Sequence, residues 1–162
     1  MDLPVNHFKR ALLNQQSQIG LWSHLSSHIS TEILAHSGFD WLVLDMEHSP
    51  NELPDILSQL QAINGSTTHA VVRPPWNDMV TFKSLLDIGV QTLLVPYIQT
   101  AEEARDAVAF TRYPPHGVRG FAGAPRASGY GRIPDYAKRC ADELCVLLQV
   151  ETVQGLENLE AI

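Results

Sequence analysis

Cysteine is scarce in this chain: Cys140 and Cys145 are the only two among 162 residues. With four residues between them, no second pair and no His pair, they form a poor zinc signature. Cys145 opens an apolar run and reads as a core thiol. No apolar run approaches the ~18 residues of a membrane span, and the leading "MDLPVNHFKRALLNQQ" has no apolar leader core. There is no P-loop and no low-complexity segment, and the "GYG" at 129–131 lacks the third glycine of a dinucleotide fingerprint. Positive charge is also in deficit. Eleven Lys and Arg face eighteen Asp and Glu, a formal net charge of -7 that argues against a nucleic-acid partner. These absences leave a soluble cytoplasmic protein with neither nucleic-acid nor membrane partners, and leave its small-molecule chemistry to local fields.

What the chain does contain is a rhythm. Short, near-continuous apolar runs occur at "IGLWSHL" (19–25), "WLVLD" (41–45), "HAVVRP" (69–74), "TLLVPYI" (92–98) and "CVLLQVE" (145–151). Such runs suit parallel strands covered on both faces. Helical patterns lie between them. Ser30 is placed to cap "TEILAHSGF", "LPDILSQLQAING" runs to Gly65, Asn77 is placed to cap "DMVTFKSLLDIG", and Thr100 with Glu103 forms a capping box. The first four strand starts are about 22 to 28 residues apart, as βα units require. The fifth is delayed by the Gly-, Pro- and Arg-rich segment 112–136, a length more often functional than idle. The expected fold is α/β with a parallel sheet, either an open doubly wound sheet or a (β/α)8 barrel.

Ionisable groups gather where the strands end, in "WLVLDMEHSP" above all. His48 is a loop histidine or, beside two carboxylates, an acid–base group near neutrality. Asp45 and Glu47 suit a helix cap, but Asp45 closes a buried run, where an unpaired charge is costly, so it should pair with Arg73 on the next strand. Arg73 then serves as a structural ion pair, a carboxylate clamp, or both. Gln149 and Glu151, two apart, share a side of the fifth strand and are oxygen donors of the Mg2+ or Mn2+ type. Trp22 and Trp76 near strand ends read as packing. Asp87 ends "SLLDIG", where it opposes the helix dipole. Arg119, Arg126 and Arg132 in the long segment read as solvated, with a distal substrate carboxylate as the alternative.

Together "IGLWSHLSS", "GFDWLVLDMEHSPN", "VVRPPWND", "LLDIGVQTLLVPYIQTAEEARDAVAFTRYPPHGVRG", "RIPDY" and "CVLLQVET" resemble the HpcH/HpaI aldolase family over essentially the whole chain. The resemblance implies a class II aldolase on a TIM-barrel-type (β/α)8 fold. It implies reversible cleavage of a 4-hydroxy-2-oxo acid, such as 4-hydroxy-2-oxoheptanedioate, to pyruvate and an aldehyde such as succinate semialdehyde. The cofactor implied is a divalent cation, Mg2+, Mn2+ or Co2+. In that frame His48 is the base, Asp87 its orienting partner, and Arg73 the group that stabilises the enolate. Glu151 is a metal ligand, Gln149 and Trp22 bind substrate with Arg73, and Asp45 and Glu47 fix Arg73 or a water. No Schiff-base lysine stands at a strand end. The family's second metal-binding aspartate, in a "GPxDLS"-like segment, does not occur in these residues. The expectation is therefore a single partial barrel over 1–162 with about five βα units, in a family that assembles as homo-oligomers (hexamers). The competing expectations are an aldolase for 2-dehydro-3-deoxyglucarate-type sugar acids and a non-catalytic half-barrel acting by association.

Overall fold

A computed structural model describes all residues 1–162. Five strands, β1 (Gly20–Ser23), β2 (Trp41–Asp45), β3 (His69–Arg73), β4 (Thr92–Val95) and β5 (Cys145–Leu148), form one sheet in the order β1-β2-β3-β4-β5, every pair parallel. A doubly wound sheet would reverse its order at a switch point. Strictly sequential order is instead that of a (β/α)8 barrel, of which the chain builds five βα units of TIM-barrel type.

The helices are α1 (His7–Leu13), α2 (His28–Ala35), α3 (Leu53–Ile63), α4 (Met79–Asp87), α5 (Ala101–Thr111), α6 (Tyr136–Arg139) and α7 (Val153–Glu157). Their starts correct two expected caps. Ser27, not Ser30, caps α2, and Asp78, not Asn77, caps α4 by accepting from the Thr81 N–H at 2.7 Å. Asn77 instead donates to the Glu103 carbonyl. The Thr100–Glu103 capping box is present on α5, and Glu52 with Asp55 makes another on α3. The strands are shorter than the apolar runs, because the runs continue into the loops above the sheet.

Side-chain alternation gives the sheet two faces. Leu42, Leu44, Val72 and Leu93 face outward into a 16-residue core with Ile56, Phe82, Leu85, Leu86 and Ala107 of the helices. Val43 and Val71 face inward, where Phe8 of α1 packs on them from below. The register stacks the inward residues in layers. Gly20, Trp41 and His69 lie lowest, Trp22, Val43 and Val71 above them, and Asp45 beside Arg73 at the carboxyl end. Gly20 is required there, since a Cβ would fall 2.0 Å from the Trp41 ring.

The long segment between α5 and β5 runs below the sheet, at the amino ends of the strands, where it forms a 3-10 turn (Arg126–Ser128), α6 and a second 3-10 turn (Cys140–Glu143). The segment that its length marked out thus lies opposite to the charged strand ends. Its arginines differ in setting. Arg119 is fully buried against Asp87, Arg126 is half-buried and donates to the Ile88 carbonyl, and Arg132 is exposed, as expected, and donates to the Gly129 carbonyl. No helix is long and apolar enough to cross a membrane.

Candidate active site

The carboxyl ends of β1, β2, β3 and β5 bring Trp22, Asp45, Arg73, Gln149 and Glu151 to one end of the sheet. In-register pairing sets Asp45 directly beside Arg73 on the inward face. Arg73 Nε donates to Asp45 Oδ1 at 2.8 Å and Nη2 to Oδ2 at 2.7 Å. Its Nη1 lies 2.9 Å from Glu47 Oε2, and its Cζ sits 4.7 Å from the centroid of the Trp22 ring. All three guanidinium nitrogens and one face are thus in contact, and the side chain keeps only 8% of its exposure. The bidentate fork expected to clamp a substrate carboxylate is turned onto Asp45, and only the remaining N–H groups on Nη1 and Nη2 are left for a ligand. Trp22 is likewise more than packing, since its ring covers Arg73.

Burial alone would raise the Asp45 carboxyl pKa. The Arg73 hydrogen bonds and charge, with the Glu47 and His48 backbone N–H groups, more than offset that and hold it below the ordinary carboxylate value. Arg73 is shifted up, first by its bond to Asp45 and further by the charges of Asp45, Glu47 and Glu151, against the opposing effect of burial. Both groups are ionised at neutral pH.

The turn after β2 is held from behind by a buried amide relay. Asn51 Nδ2 donates to the Asp45 carbonyl at 2.6 Å, Gln59 Nε2 to Asn51 Oδ1 at 2.7 Å, and Thr31 Oγ1 to Gln59 Oε1 at 3.0 Å. This relay ties α2 and α3 to β2 and fixes where Glu47, His48 and Ser49 emerge. His48 itself stands 69% exposed, with Nε2 3.5 Å from Glu47 Oε1.

Within one chain, Asp87 does not meet His48. α4 runs antiparallel to the strands, so its last residue, Asp87, lies at the amino end of the sheet, with Arg119 Nη2 at 2.8 Å. That contact also answers why an acid sits at a helix C-terminus, for Arg119 supplies the cation there.

Glu151 follows β5, and its Oε1 accepts from the Tyr97 N–H at 2.9 Å. Tyr97 holds a left-handed φ of 59°, a strained setting for a non-glycine residue, and its ring leans on Trp76 at 5.4 Å. Gln149 Oε1 is buried with no donor. An orphaned amide oxygen and a carboxylate at one strand end suit an oxygen-seeking cation. The charges agree. Asp45, Glu47 and Glu151 against Arg73 leave two negative charges to be met. The chain brings no group of three His, Cys, Asp or Glu side chains into position around one ion. In kind the donors fit a divalent ion, and Glu151 with Gln149 are the residues that would hold it.

Two residues of this site were missed in the sequence. His24, just past β1, has Nδ1 2.9 Å from Ser49 Oγ and 3.3 Å from Asp45 Oδ2. The available signal was position: His24 lies near the end of the first apolar run, and Ser49 lies in the loop after the second.

The family model described as HpcH/HpaI aldolase/citrate lyase matches residues 18–162. A hydroxypyruvate/pyruvate aldolase of Paraburkholderia phytofirmans is 58% identical over 159 residues, covering 98% of this chain and 60% of the relative. A 4-hydroxy-2-oxo-heptane-1,7-dioate aldolase of Escherichia coli is 54% identical over 158 residues, covering 97% of the chain and 60% of the relative. Among solved structures, an HpcH/HpaI aldolase/citrate lyase family protein from Burkholderia cenocepacia superposes with a TM-score of 0.94 at 39% identity, covering 98% of this chain and 64% of that one. The chain spans about 60% of the length of the curated relatives it matches.

Proposed function

This chain belongs to the HpcH/HpaI aldolase/citrate lyase family, and on that premise we propose that the protein is a pyruvate aldolase dependent on a divalent cation. The reaction is reversible retro-aldol cleavage of a 4-hydroxy-2-oxo acid to pyruvate and an aldehyde. The observation that carries this reading is the immobilised Arg73 beside an excess of carboxylate charge at the strand ends.

Each residue has a role in it. His48, exposed at the rim and next to Glu47, takes the proton of the C4 hydroxyl. The C3–C4 bond then breaks, C4 becomes the aldehyde carbonyl, and the electron pair passes through C3 and C2 to the keto oxygen as an enolate. Arg73 presents fixed positive charge to that oxygen, and Asp45, Glu47 and Trp22 hold the guanidinium so that it need not reorganise as charge develops. C3 takes up a proton to give pyruvate. A divalent ion held by Glu151 and Gln149 would polarise the 2-oxo acid and offset the negative charge that otherwise repels it. An orienting carboxylate for His48 is available within the chain only from Glu47, so a role for Asp87 would require a second copy. Apolar side chains exposed on α2 (Ile29, Ile33) and α7 (Val153, Leu156), beside the sheet's two edges, are where further barrel elements or another subunit would pack.

The test is pyruvate release from 4-hydroxy-2-oxoheptanedioate with and without Mg2+, Mn2+ or Co2+. Turnover that appears only with the ion supports the reading. Turnover that survives exhaustive chelation, or a substrate adduct trapped by borohydride, overturns it.

A further inference from the structure

His24 stands two residues beyond Trp22, with its side chain 52% exposed. The ring is anchored on one side only. Nδ1 lies between Ser49 Oγ at 2.9 Å and Asp45 Oδ2 at 3.3 Å, whereas Nε2 has no hydrogen-bond partner in the chain. Because both contacts fall on the same nitrogen, the arrangement is not a Ser-His-Asp relay, which needs the serine and the carboxylate on opposite nitrogens.

The anchor selects a tautomer. Asp45 is fully buried and ionised, and an Nδ1 lone pair facing it would be repelled. The neutral ring therefore carries its proton on Nδ1, which leaves Nε2 as an acceptor. An oriented acceptor at the rim calls for a ligand with an O–H to give. On the aldolase reading above, on which this inference rests, the reacting C4 hydroxyl belongs to His48 and the 2-oxo acid end to Arg73. What remains is a hydroxyl on the carbon next to the aldehyde. The geometry points to His24 as a specificity residue whose Nε2 accepts a hydrogen bond from that hydroxyl, so that the site favours hydroxyaldehydes over their deoxy counterparts. Ser49 and Asp45 act through His24, fixing its ring and its proton.

The experiment is aldol addition of pyruvate to glycolaldehyde and to acetaldehyde by the intact protein with its divalent ion, reading the ratio of kcat/KM values. His24→Phe, which keeps an aromatic ring but has no acceptor, should lower the glycolaldehyde-to-acetaldehyde ratio about tenfold, the worth of one such hydrogen bond. His24→Gln, whose amide oxygen accepts, should recover part of the ratio. A structural role would lower both rates together and leave the ratio unchanged, and that result overturns the assignment. The proton position is read independently of activity by nitrogen NMR of the labelled histidines. An Nδ1–H tautomer at His24 supports the inference, and an Nε2–H tautomer overturns it. Absence of any aldol product from the unmutated protein would overturn the aldolase reading itself, with the tautomer still deciding the anchor.

Discussion

Two buried arginine–aspartate pairs sit at opposite ends of the same sheet. At the carboxyl end Arg73 meets Asp45 through two hydrogen bonds, and at the amino end Arg119 meets Asp87 at 2.8 Å. Each guanidinium also lies over an aromatic ring, Trp22 at 4.7 Å and Tyr113 at 4.5 Å. The chemistry is nearly the same, yet the surroundings differ. Around Arg73 stand Glu47, His24 and Glu151, the last two open to solvent, with surplus negative charge. Around Arg119 stand Tyr113, Tyr136 and Cys140, and its side chain has 0% exposure. Burial pushes the Tyr113 hydroxyl up to about 12 despite the nearby guanidinium, and raises the Tyr136 hydroxyl and the Cys140 thiol as well. A buried ion pair is thus no mark of an active site by itself. What it presents outward decides whether it positions substrate or pins a loop.

The comparison can be broken by replacing the arginine at each end. Arg73→Lys removes the planar fork that Asp45 and Glu47 grip, and kcat should fall roughly 10²- to 10³-fold, the usual cost of losing one preorganised charge-stabilising group. Thermal unfolding should shift little, and steady-state kinetics beside a melting curve would check both. Arg119→Met should do the reverse. Loss of the pair that anchors the long segment to α4 should cost about 3 kcal/mol in urea unfolding, while turnover per folded molecule is kept. Equal effects from both variants would show that the two pairs are not distinct in role.

A smaller effect sharpens the picture of the amino end. His69 is half-buried beneath the sheet, stacked on Phe8 at 5.6 Å and bonded to Thr92 Oγ1 at 2.8 Å. Burial, helped by the neighbouring His7, lowers its pKa from 6.5 to about 4. The folded state therefore binds this proton more weakly than the unfolded chain. Its stabilising contribution is complete above pH 6.5 and is lost as pH falls toward 4, with a slope of about 1 kcal/mol per pH unit. His69→Gln should flatten this part of the stability–pH curve measured by urea unfolding between pH 7 and pH 5. An unchanged slope in the variant would assign the acid sensitivity to other groups.

Much of the charged end was legible in the letters. Asp45 and Arg73 each closed an apolar run, and an unpaired charge in such a place is costly enough to predict the pair. The five strands and the parallel sheet followed from run spacing, and sequential strand order then separated barrel from doubly wound sheet. What failed did so for identifiable reasons. Asp87 was paired with His48 by family likeness alone, and helix direction sends it to the other end of its own chain. Arg119 looked solvated because local sequence cannot show that Tyr113, Asp87 and Tyr136 close around it. His24 escaped notice because its partners, Ser49 and Asp45, are distant in sequence and meet it only through the β1–β2 register.

The central claim is that the carboxyl-end charges are completed by a divalent ion at Glu151, with His48 acting beside it and not on it. Mn2+ binding followed by electron paramagnetic resonance in the intact protein tests this most directly. Glu151→Gln should weaken Mn2+ binding by roughly 10-fold or more. His48→Ala should leave that affinity nearly unchanged while kcat falls roughly 10²- to 10⁴-fold. Full Mn2+ affinity in Glu151→Gln, or its loss in His48→Ala, would contradict the account.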